Sequence, residues 1–201
     1  MPALTEKDFG SDPIAEFGRW FADAQKRSGQ RNANAMTLCT VGADGGPQGR
    51  IVLLKGYDEL GFRFYSNSRS EKGRALAADP RAELVFHWDA LGRQVRVRGP
   101  VERLDDATAD AYFASRQRGS QLAAWASQQS DAVASRELME ERYAKEEARF
   151  EFKDVARPPH WGGYRVVPVR VEFWQEAESR FHDRFAYEKE EAGWRFSRLN
   201  P

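Results

Sequence analysis

The first third of the chain alternates apolar and polar positions in two ways. Apolar residues recur at helical spacing from Ile14 to Ala24, after an Asp12-Pro13 pair that is typical of a helix start and before Gly29. Short runs with a two-residue period follow, separated by turn sequences such as GADGGPQG and DELG. This pattern predicts an amphipathic helix and then antiparallel strands joined by tight turns.

The remaining pattern adds more strands and a helical middle. The strand candidates are AMTLCTV, RIVLLKGY, FRFYSN, RAELVFHW, RQVRVRGPVERL, YRVVPVRVEFWQ, RFHDRFAYEK and WRFSRL. A short helix (RALAA) and three longer helical patterns (DDATADAYFASR, QLAAWASQQ and the charge-rich SRELMEERYAKEEARF) lie between them. We interpret residues 1–201 as one α+β domain dominated by a curled or barrel-like antiparallel sheet.

Composition narrows the function classes. Lys+Arg and Asp+Glu both number 31, so zero net charge argues against a general nucleic-acid binder. A single cysteine excludes an intrachain disulfide, and three scattered histidines make a His/Cys metal site improbable. Neither a signal peptide nor an apolar run of transmembrane length is visible, so we expect a soluble, cytoplasmic protein.

Two strands carry cations where apolar residues are expected. In RIVLLK, each face ends in one cation, Arg50 or Lys55. In RQVRVRG, alternation places Gln94, Arg96 and Arg98 on one face, with valines on the other. Anion binding explains these cations, whereas aggregation-suppressing edge charges and a solvated face are the alternatives.

The helical segments offer further donors for anions. Lys72 lies at a predicted helix start in SNSRSEKG, where simple capping by serine is the alternative. Tyr112, Arg116 and Ser120 would share one helix face at i, i+4 and i+8, which suits a phosphate monoester, with a surface stripe as the alternative. Two similar donors follow in SQQS: Gln129 and Ser130.

The motif RFHDRF near the C-terminus concentrates charge. In an extended strand, Arg180, His182 and Arg184 would share one face, and Phe181 would take the other. Like charges this close repel unless an anion lies between them. Asp183 would face the opposite side and could not neutralise both arginines. The motif therefore predicts an anionic ligand, with internal ion pairing as the alternative.

No nucleophile–base pair stands out in the sequence. The donors are sufficient for more than one phosphate, and the chain is 12% aromatic, which suits a flat ring. Redox chemistry would therefore require a bound cofactor.

These motifs resemble the pyridoxine (pyridoxamine) 5′-phosphate oxidase family from about Asp12 to Pro201, most clearly in RIVLLKGYD, FRFYSNSRSEKG, YFASRQRGSQLAAWASQQS, WGGYRV and RFHDRF. The resemblance implies a homodimeric antiparallel split β-barrel with peripheral helices and FMN at the subunit interface. About residues 145–201 would contribute to the dimer and the active site. It also implies oxidation of pyridoxine 5′-phosphate or pyridoxamine 5′-phosphate to pyridoxal 5′-phosphate, with O2 as acceptor and H2O2 as product.

The resemblance also assigns site residues. The implied FMN contacts are Arg50, Ile51, Val52, Leu53, Leu54, Lys55, Tyr65, Ser66, Lys72, Gln94, Gln129, Ser130, Trp174 and Arg184. The implied substrate contacts are Lys55, Tyr112, Arg116 and Ser120 at the phosphate, and Arg180, Phe181 and His182 at the pyridine ring. Arg180 and His182 would be catalytic: they would orient the ring while hydride leaves C4′ for the flavin.

Several positions depart from the family pattern. Phe181 replaces a usual leucine, Glu71 a common basic residue, and Asn32 a usual acidic residue. We also expect the Arg/Tyr-bearing N-terminal segment that often closes over the substrate to be missing. Two alternatives remain: an oxidase of the same fold with another substrate, such as the phenazine-biosynthesis type, and a non-catalytic protein that binds flavin or pyridoxal phosphate.

Overall fold

The computed structural model describes residues 3–201, which form five α-helices and ten strands. The helices are α1 (Pro13–Arg27), α2 (Glu71–Ala78), α3 (Asp106–Ala114), α4 (Arg118–Ala126) and α5 (Arg136–Arg149). The strands are β1 (Ala35–Val41), β2 (Pro47–Leu53), β3 (Gly56–Asp58), β4 (Gly61–Asn67), β5 (Arg81–Trp88), β6 (Arg93–Arg103), β7 (Trp161–Val166), β8 (Arg170–Gln175), β9 (Asp183–Glu190) and β10 (Gly193–Leu199).

All strand pairs are antiparallel, and β6 belongs to two branches of the sheet. One branch runs β10-β9-β8-β6-β5-β1-β2, and the other joins β6 through β7 and β4 to β3. The branches diverge at Gly99, where a Cβ would lie 1.7 Å from the Val167 carbonyl oxygen. Glycine thus allows two strands to leave β6 in different directions. The predicted α+β fold with a curled antiparallel sheet is confirmed.

The core lies between α1 and the inner face of the sheet. Asp12 caps α1 by accepting from the Ile14 amide at 2.9 Å, as the Asp-Pro pair predicts. Phe17 is fully buried, and its ring lies 4.8 Å from that of Phe62 and 4.9 Å from that of Phe86. A smaller apolar cluster joins α3, α4 and the loop before β7. This second cluster supports the candidate site.

Two predicted strands are each divided in the structure. RIVLLKGY contributes to both β2 and β3, with Leu54 and Lys55 between them. YRVVPVRVEFWQ divides into β7 and β8 around Pro168, which has no backbone N–H for a sheet ladder. The charge-rich α5 has no buried residue among those described, in agreement with a solvated surface helix.

The prediction that RFHDRF is extended throughout is wrong. Strand β9 begins at Asp183, and the preceding residues form a 3₁₀ turn, Glu178–Arg180. Ser179 and Arg180 have φ of 55° and 62°, in the left-handed region. Arg180 and His182 are therefore not placed by strand alternation with Arg184. None of the helices described is long and apolar enough to cross a membrane.

Candidate active site

A cavity of about 530 Å³ opens beside β2, β4 and the junction of α3 with α4. The predicted site residues that line it are Ile51, Val52, Leu53, Lys55, Tyr65, Ser66, Lys72, Tyr112, Arg116, Ser120 and Gln129. The described residues lining it include no Asp or Glu. The cavity is therefore electropositive, and it collects most of the predicted phosphate donors in one place.

Lys72 lines the cavity and Arg50 lies close to it, and neither cation has an ion-pair partner among the described residues. Lys72 is only 8% exposed, and its Nζ donates to the Ser70 hydroxyl at 3.3 Å. Burial lowers the pKa of the Lys72 ammonium, and the nearby Arg50 guanidinium lowers it further. Arg50 donates to the Thr40 hydroxyl at 2.6 Å, and it has no ion-pair partner among the described residues. The pair is a candidate site for an anion.

Glu71, the departure from the family pattern, does not fill this site. Glu71 is exposed, and its carboxylate accepts from the Gln48 amide at 3.2 Å. It forms no hydrogen bond to Lys72 among the contacts described. The structure thus shows a carboxylate at this position that faces solvent.

Arg116 is a third cation without an ion-pair partner among the described residues. Its Nη1 is buried and has no hydrogen-bond partner among the described residues. The guanidinium carbon lies 4.8 Å from the Trp161 ring centroid and 5.5 Å from that of Phe113. Burial lowers the pKa of this guanidinium. Such a donor fits an anionic ligand that supplies the missing hydrogen bond.

Three aromatic rings stack beside Arg116. The Tyr65 ring lies 3.9 Å from that of Tyr112 and 5.3 Å from that of Trp161, with interplanar angles of 14° and 9°. Gly163 permits this packing, because a Cβ there would lie 2.8 Å from the edge of Tyr65. Burial raises the pKa of the Tyr65 phenol, so this hydroxyl stays neutral and can donate.

The helix predicted for Tyr112, Arg116 and Ser120 is interrupted. Helix α3 ends at Ala114 and α4 begins at Arg118, so Arg116 lies between two helices. A common helix face is therefore the wrong reason for their grouping, although all three line the cavity. Three lining residues were not predicted as site residues: Asn67, Gln117 and Trp161. The motif WGGYRV contained a signal for Trp161.

A second group of predicted residues lies on β6, β8 and β9. Gln94 pairs with Trp174, and Trp174 pairs with Arg184, so the three form one cross-strand row. On β6, Val95 and Val97 are fully buried, which confirms the predicted division of faces. None of these residues lines the 530 Å³ cavity. Within one chain, the predicted site residues therefore fall into two groups.

The turn before β9 joins this second group through His182. Its ring lies 4.7 Å from that of Trp174, and its Nδ1 accepts from the Ala177 amide at 3.2 Å. Because Nδ1 is an acceptor, the neutral imidazole carries its proton on Nε2. Arg180 and Phe181 are both exposed, the latter by 78%.

The ion pairs around RFHDRF differ in part from the sequence analysis. Asp183 accepts from Arg198 and from the Leu4 amide, each at 2.8 Å, so it does not pair with Arg180 or Arg184. Arg184 is nevertheless paired, because Glu172 accepts from its Nε at 3.0 Å and its Nη2 at 2.8 Å. Sequence analysis missed Glu172, since only the strand register brings it to Arg184.

Two further predicted contacts lie elsewhere. Leu54 is 4% exposed and belongs to the main core. Ser130, with φ of 76°, lines a separate cavity of about 290 Å³ that also includes Gln129, Val133 and Met139. No cluster of His, Cys, Asp or Glu suited to a metal ion occurs within residues 3–201.

The chain matches two family models. Residues 22–150 match pyridoxamine 5′-phosphate oxidase, and residues 161–201 match the pyridoxine 5′-phosphate oxidase C-terminal dimerisation region. A pyridoxine/pyridoxamine 5′-phosphate oxidase of Rubrobacter xylanophilus is 54% identical, over 98% of this chain and 91% of that protein. One of the same name from Cupriavidus pinatubonensis is also 54% identical, over 100% and 94%.

Solved structures agree on the fold. PhzG from Burkholderia lata, in complex with tetrahydrophenazine-1-carboxylic acid, has a TM-score of 0.91 at 30% identity and covers 99% of this chain and 98% of its own. A pyridoxamine 5′-phosphate oxidase-related, FMN binding protein from Nostoc punctiforme has a TM-score of 0.75 at 18% identity, covering 96% and 100%, which bears on the fold alone. With its fold, its cavity and these matches, the chain belongs to the pyridoxine/pyridoxamine 5′-phosphate oxidase family of oxidoreductases.

Proposed function

We propose that the chain oxidises pyridoxine 5′-phosphate or pyridoxamine 5′-phosphate to pyridoxal 5′-phosphate as a homodimer that binds FMN. The observation that carries this proposal is a cavity lined by Lys72, Lys55 and Arg116, none of which has an ion-pair partner among the described residues. Arg50 lies close enough to Lys72 to lower its pKa, although it does not line the cavity itself. Two phosphate monoesters, one from the cofactor and one from the substrate, would satisfy these cations. The identity of 54% to oxidases of that name supports the same substrates.

The Arg50–Lys72 end suits the FMN phosphate. Both side chains are cationic donors, and the Ser66 hydroxyl lies in the same cavity wall. A dianion there would offset the charge repulsion that lowers the pKa of Lys72. FMN held there would supply the redox chemistry, in which hydride leaves C4′ of the substrate and O2 is reduced to H2O2.

The Arg116 end suits the substrate phosphate. Its free Nη1 would donate to a phosphate oxygen, and Lys55, Tyr112 and Ser120 line the same space. The Trp161 face limits the motion of the guanidinium. The substrate would thus be oriented by its phosphate, which lowers the entropic cost of bringing C4′ to the reacting position.

The row of Gln94, Trp174 and Arg184, together with Arg180 and His182, would complete the site. The two groups do not share a cavity within one chain, and we infer that they face each other across the homodimer. The match of residues 161–201 to a dimerisation region supports this arrangement. His182 would then donate from Nε2 to the substrate, because its Nδ1 is engaged by Ala177.

An oxidase acting on a phenazine precursor is the second candidate. The TM-score of 0.91 to PhzG at 30% identity favours it. The phosphate donors around Arg116 argue for a phosphorylated substrate instead. A single unit spanning residues 1–201 and a cytoplasmic location stay predictions from the sequence.

Anaerobic reduction tests the proposal. FMN-loaded protein is mixed with pyridoxamine 5′-phosphate without oxygen, and flavin absorbance is followed together with pyridoxal 5′-phosphate formation. Bleaching with stoichiometric product is the expected result. Bleaching by tetrahydrophenazine-1-carboxylic acid but not by the phosphorylated vitamers would favour the second candidate. FMN that stays oxidised with both would contradict an oxidase function.

A further inference from the structure

Glu172 lies in an unusual place for a carboxylate. It is on β8, between β6 and β9, and only 4% of its surface is exposed. Its strand neighbours Val171 and Phe173 point into the core, so Glu172 takes the outer face with Trp174. Burying a carboxylate is costly unless cations and hydrogen bonds compensate for the lost water.

Three arginines provide that compensation. Oε1 of Glu172 accepts from Nε and Nη2 of Arg184, at 3.0 and 2.8 Å. Oε2 accepts from Arg170 at 3.4 Å and lies 3.8 Å from a nitrogen of Arg96. The shortest contacts belong to Arg184, which donates two hydrogen bonds to the single oxygen Oε1.

The three arginines differ in their other partners. Arg96 also pairs with Glu83, and Arg170 donates to Glu188 at 2.7 Å. For Arg184, Glu172 is the one carboxylate partner among the described residues. Arg96 and Arg170 would therefore each keep a carboxylate partner without Glu172, whereas Arg184 would not.

The hydrogen bonds of Arg184 fix the plane of its guanidinium. Nε and Nη2 bind Glu172, while Nη1 donates to the Asn200 carbonyl at 2.9 Å. An arginine has five N–H groups, so one N–H on each Nη remains for a ligand. Glu172 and Asn200 thus fix the orientation of the guanidinium, and its two remaining N–H groups point in defined directions.

We infer that Glu172 is a positioning residue that orients Arg184 for FMN binding. This inference rests on the proposed function, in which Arg184 contacts the flavin. The carboxylate itself does not touch the cofactor. It prevents the guanidinium from sampling other rotamers, so less conformational entropy is lost when the flavin binds.

Binding of FMN to the apoprotein provides the test. The Kd is measured from the quenching of flavin fluorescence for wild type, Glu172→Gln, Arg184→Lys and the double variant. We expect Glu172→Gln and Arg184→Lys each to raise the Kd about 10- to 100-fold, the range expected for a hydrogen bond to a charged group. The double variant should bind no more weakly than Arg184→Lys alone, because both changes remove one oriented group.

Glu188→Gln is the matched control. Glu188 lies on β9, pairs with Arg170 and has no contact with Arg184 among the described residues. We expect its FMN Kd to equal that of wild type. A structural role alone for Glu172 would give an unchanged Kd in Glu172→Gln, or singles whose effects multiply in the double variant; either result overturns the inference.

Glu172→Asp keeps the test decisive if Glu172→Gln does not fold. Aspartate retains the charge among the arginines but withdraws the carboxylate by one methylene, so the two hydrogen bonds from Arg184 to Oε1 are lost. We expect thermal stability near that of wild type with a weakened Kd, and an unaltered Kd overturns the inference. Wild-type protein that fails to bind FMN would overturn the proposed function as well, so the two failures are distinguishable.

Discussion

Arg116 and Arg184 are both predicted ligand contacts, and the protein holds them in opposite ways. Arg116 packs against the rings of Phe113 and Trp161, and its buried Nη1 has no partner within the described chain. Arg184 is bonded to Glu172 through two nitrogens and to a backbone carbonyl through the third. The cavity thus keeps its positive charge uncompensated, whereas the outer face of β6, β8 and β9 neutralises it.

An unpaired buried cation and a paired arginine contribute to ligand binding in different ways. A buried cation without a counter-ion lowers stability, so its presence points to a ligand that provides the charge. A carboxylate beside Arg116 would compete with a phosphate for the same hydrogen bonds. A paired arginine contributes direction instead of free charge, which suits a contact to a neutral ring system.

Removing the charge of Arg116 should have the largest effect. We expect Arg116→Met to raise the KM for pyridoxamine 5′-phosphate about 100-fold, since charged hydrogen bonds to the phosphate are lost. The stability of the ligand-free protein should not fall, because an uncompensated buried charge is removed. Steady-state kinetics and thermal unfolding of the same preparation measure both quantities.

Arg170→Met gives the opposite case for comparison. Arg170 pairs with Glu188 and Glu172 on the neutralised face, so its loss removes one cationic partner from each of two carboxylates. We expect it to lower the free energy of unfolding by about 1–3 kcal/mol. If Arg116→Met destabilises as much as Arg170→Met and leaves the KM unchanged, the contrast between the two regions does not hold.

Lys72 should make FMN binding depend on alkaline pH. Its pKa lies below the usual 10.5 in the ligand-free protein, through burial and Arg50. Between this lowered pKa and 10.5, the unfolded chain therefore binds more protons than the folded one. The stability of the ligand-free protein consequently rises with pH over that interval. The phosphate needs the charged form, so FMN affinity should fall over the same interval.

Two variants test this pH dependence. Lys72→Gln should weaken FMN binding about 10- to 100-fold at neutral pH and lose the alkaline decline. Lys72→Arg should keep the affinity and bind FMN at pH values where wild type releases it, since arginine stays charged. Titration of apoprotein with FMN between neutral and alkaline pH measures both. An alkaline decline that persists in Lys72→Gln would assign it to another group.

Local signals in the sequence predicted the fold well. The Asp12-Pro13 cap and the two-residue period of RQVRVRG depend on neighbouring residues alone, and both are present in the structure. The prediction of an extended RFHDRF was wrong because Ser179 and Arg180 have positive φ angles. Neither residue is a glycine, which is the usual sequence signal for such a backbone. The segment YRVVPVRVEFWQ is interpreted as one strand, and its pattern does not indicate that β7 and β8 belong to different branches of the sheet. Pro168 marks the division between them.

Sequence motifs indicated many of the residues that line the cavity, but not how those residues are arranged. Phosphate donors such as Lys72 and Arg116 stood out by residue type and motif. Glu172 did not, because its pairing with Arg184 depends on the register between β8 and β9. The buried, unpartnered state of Arg116 also depends on packing between Phe113 and Trp161, which lie far apart along the chain. A sequence shows which residue types are present, whereas the tertiary structure decides which charged side chains are paired with an opposite charge.

A Trp161 variant tests how much packing against this ring contributes to the position of Arg116. We expect Trp161→Leu to raise the KM for pyridoxamine 5′-phosphate about fivefold to tenfold, in line with a cation–π contact of about 1 to 1.4 kcal/mol. Some stability should also be lost, since Trp161 belongs to the smaller core cluster. The FMN Kd should stay unchanged, because Trp161 does not contact Arg50 or Lys72 among the described residues. A weakened FMN Kd with an unaltered KM would place Trp161 with the cofactor.

Glu71→Lys should have the smallest effect, and it asks whether the uncompensated end of the cavity accepts one more charge. Glu71 is exposed and bonded to Gln48, so a lysine there would extend into solvent near Lys72. We expect FMN to bind up to about threefold more tightly at low salt, since exposed charges contribute little and are screened over about 10 Å at 0.1 M. The gain should vanish when the titration is repeated at high salt. A gain that survives high salt would mean that residue 71 contacts the phosphate directly, whereas weaker binding would mean that Glu71 organises this end of the cavity through Gln48.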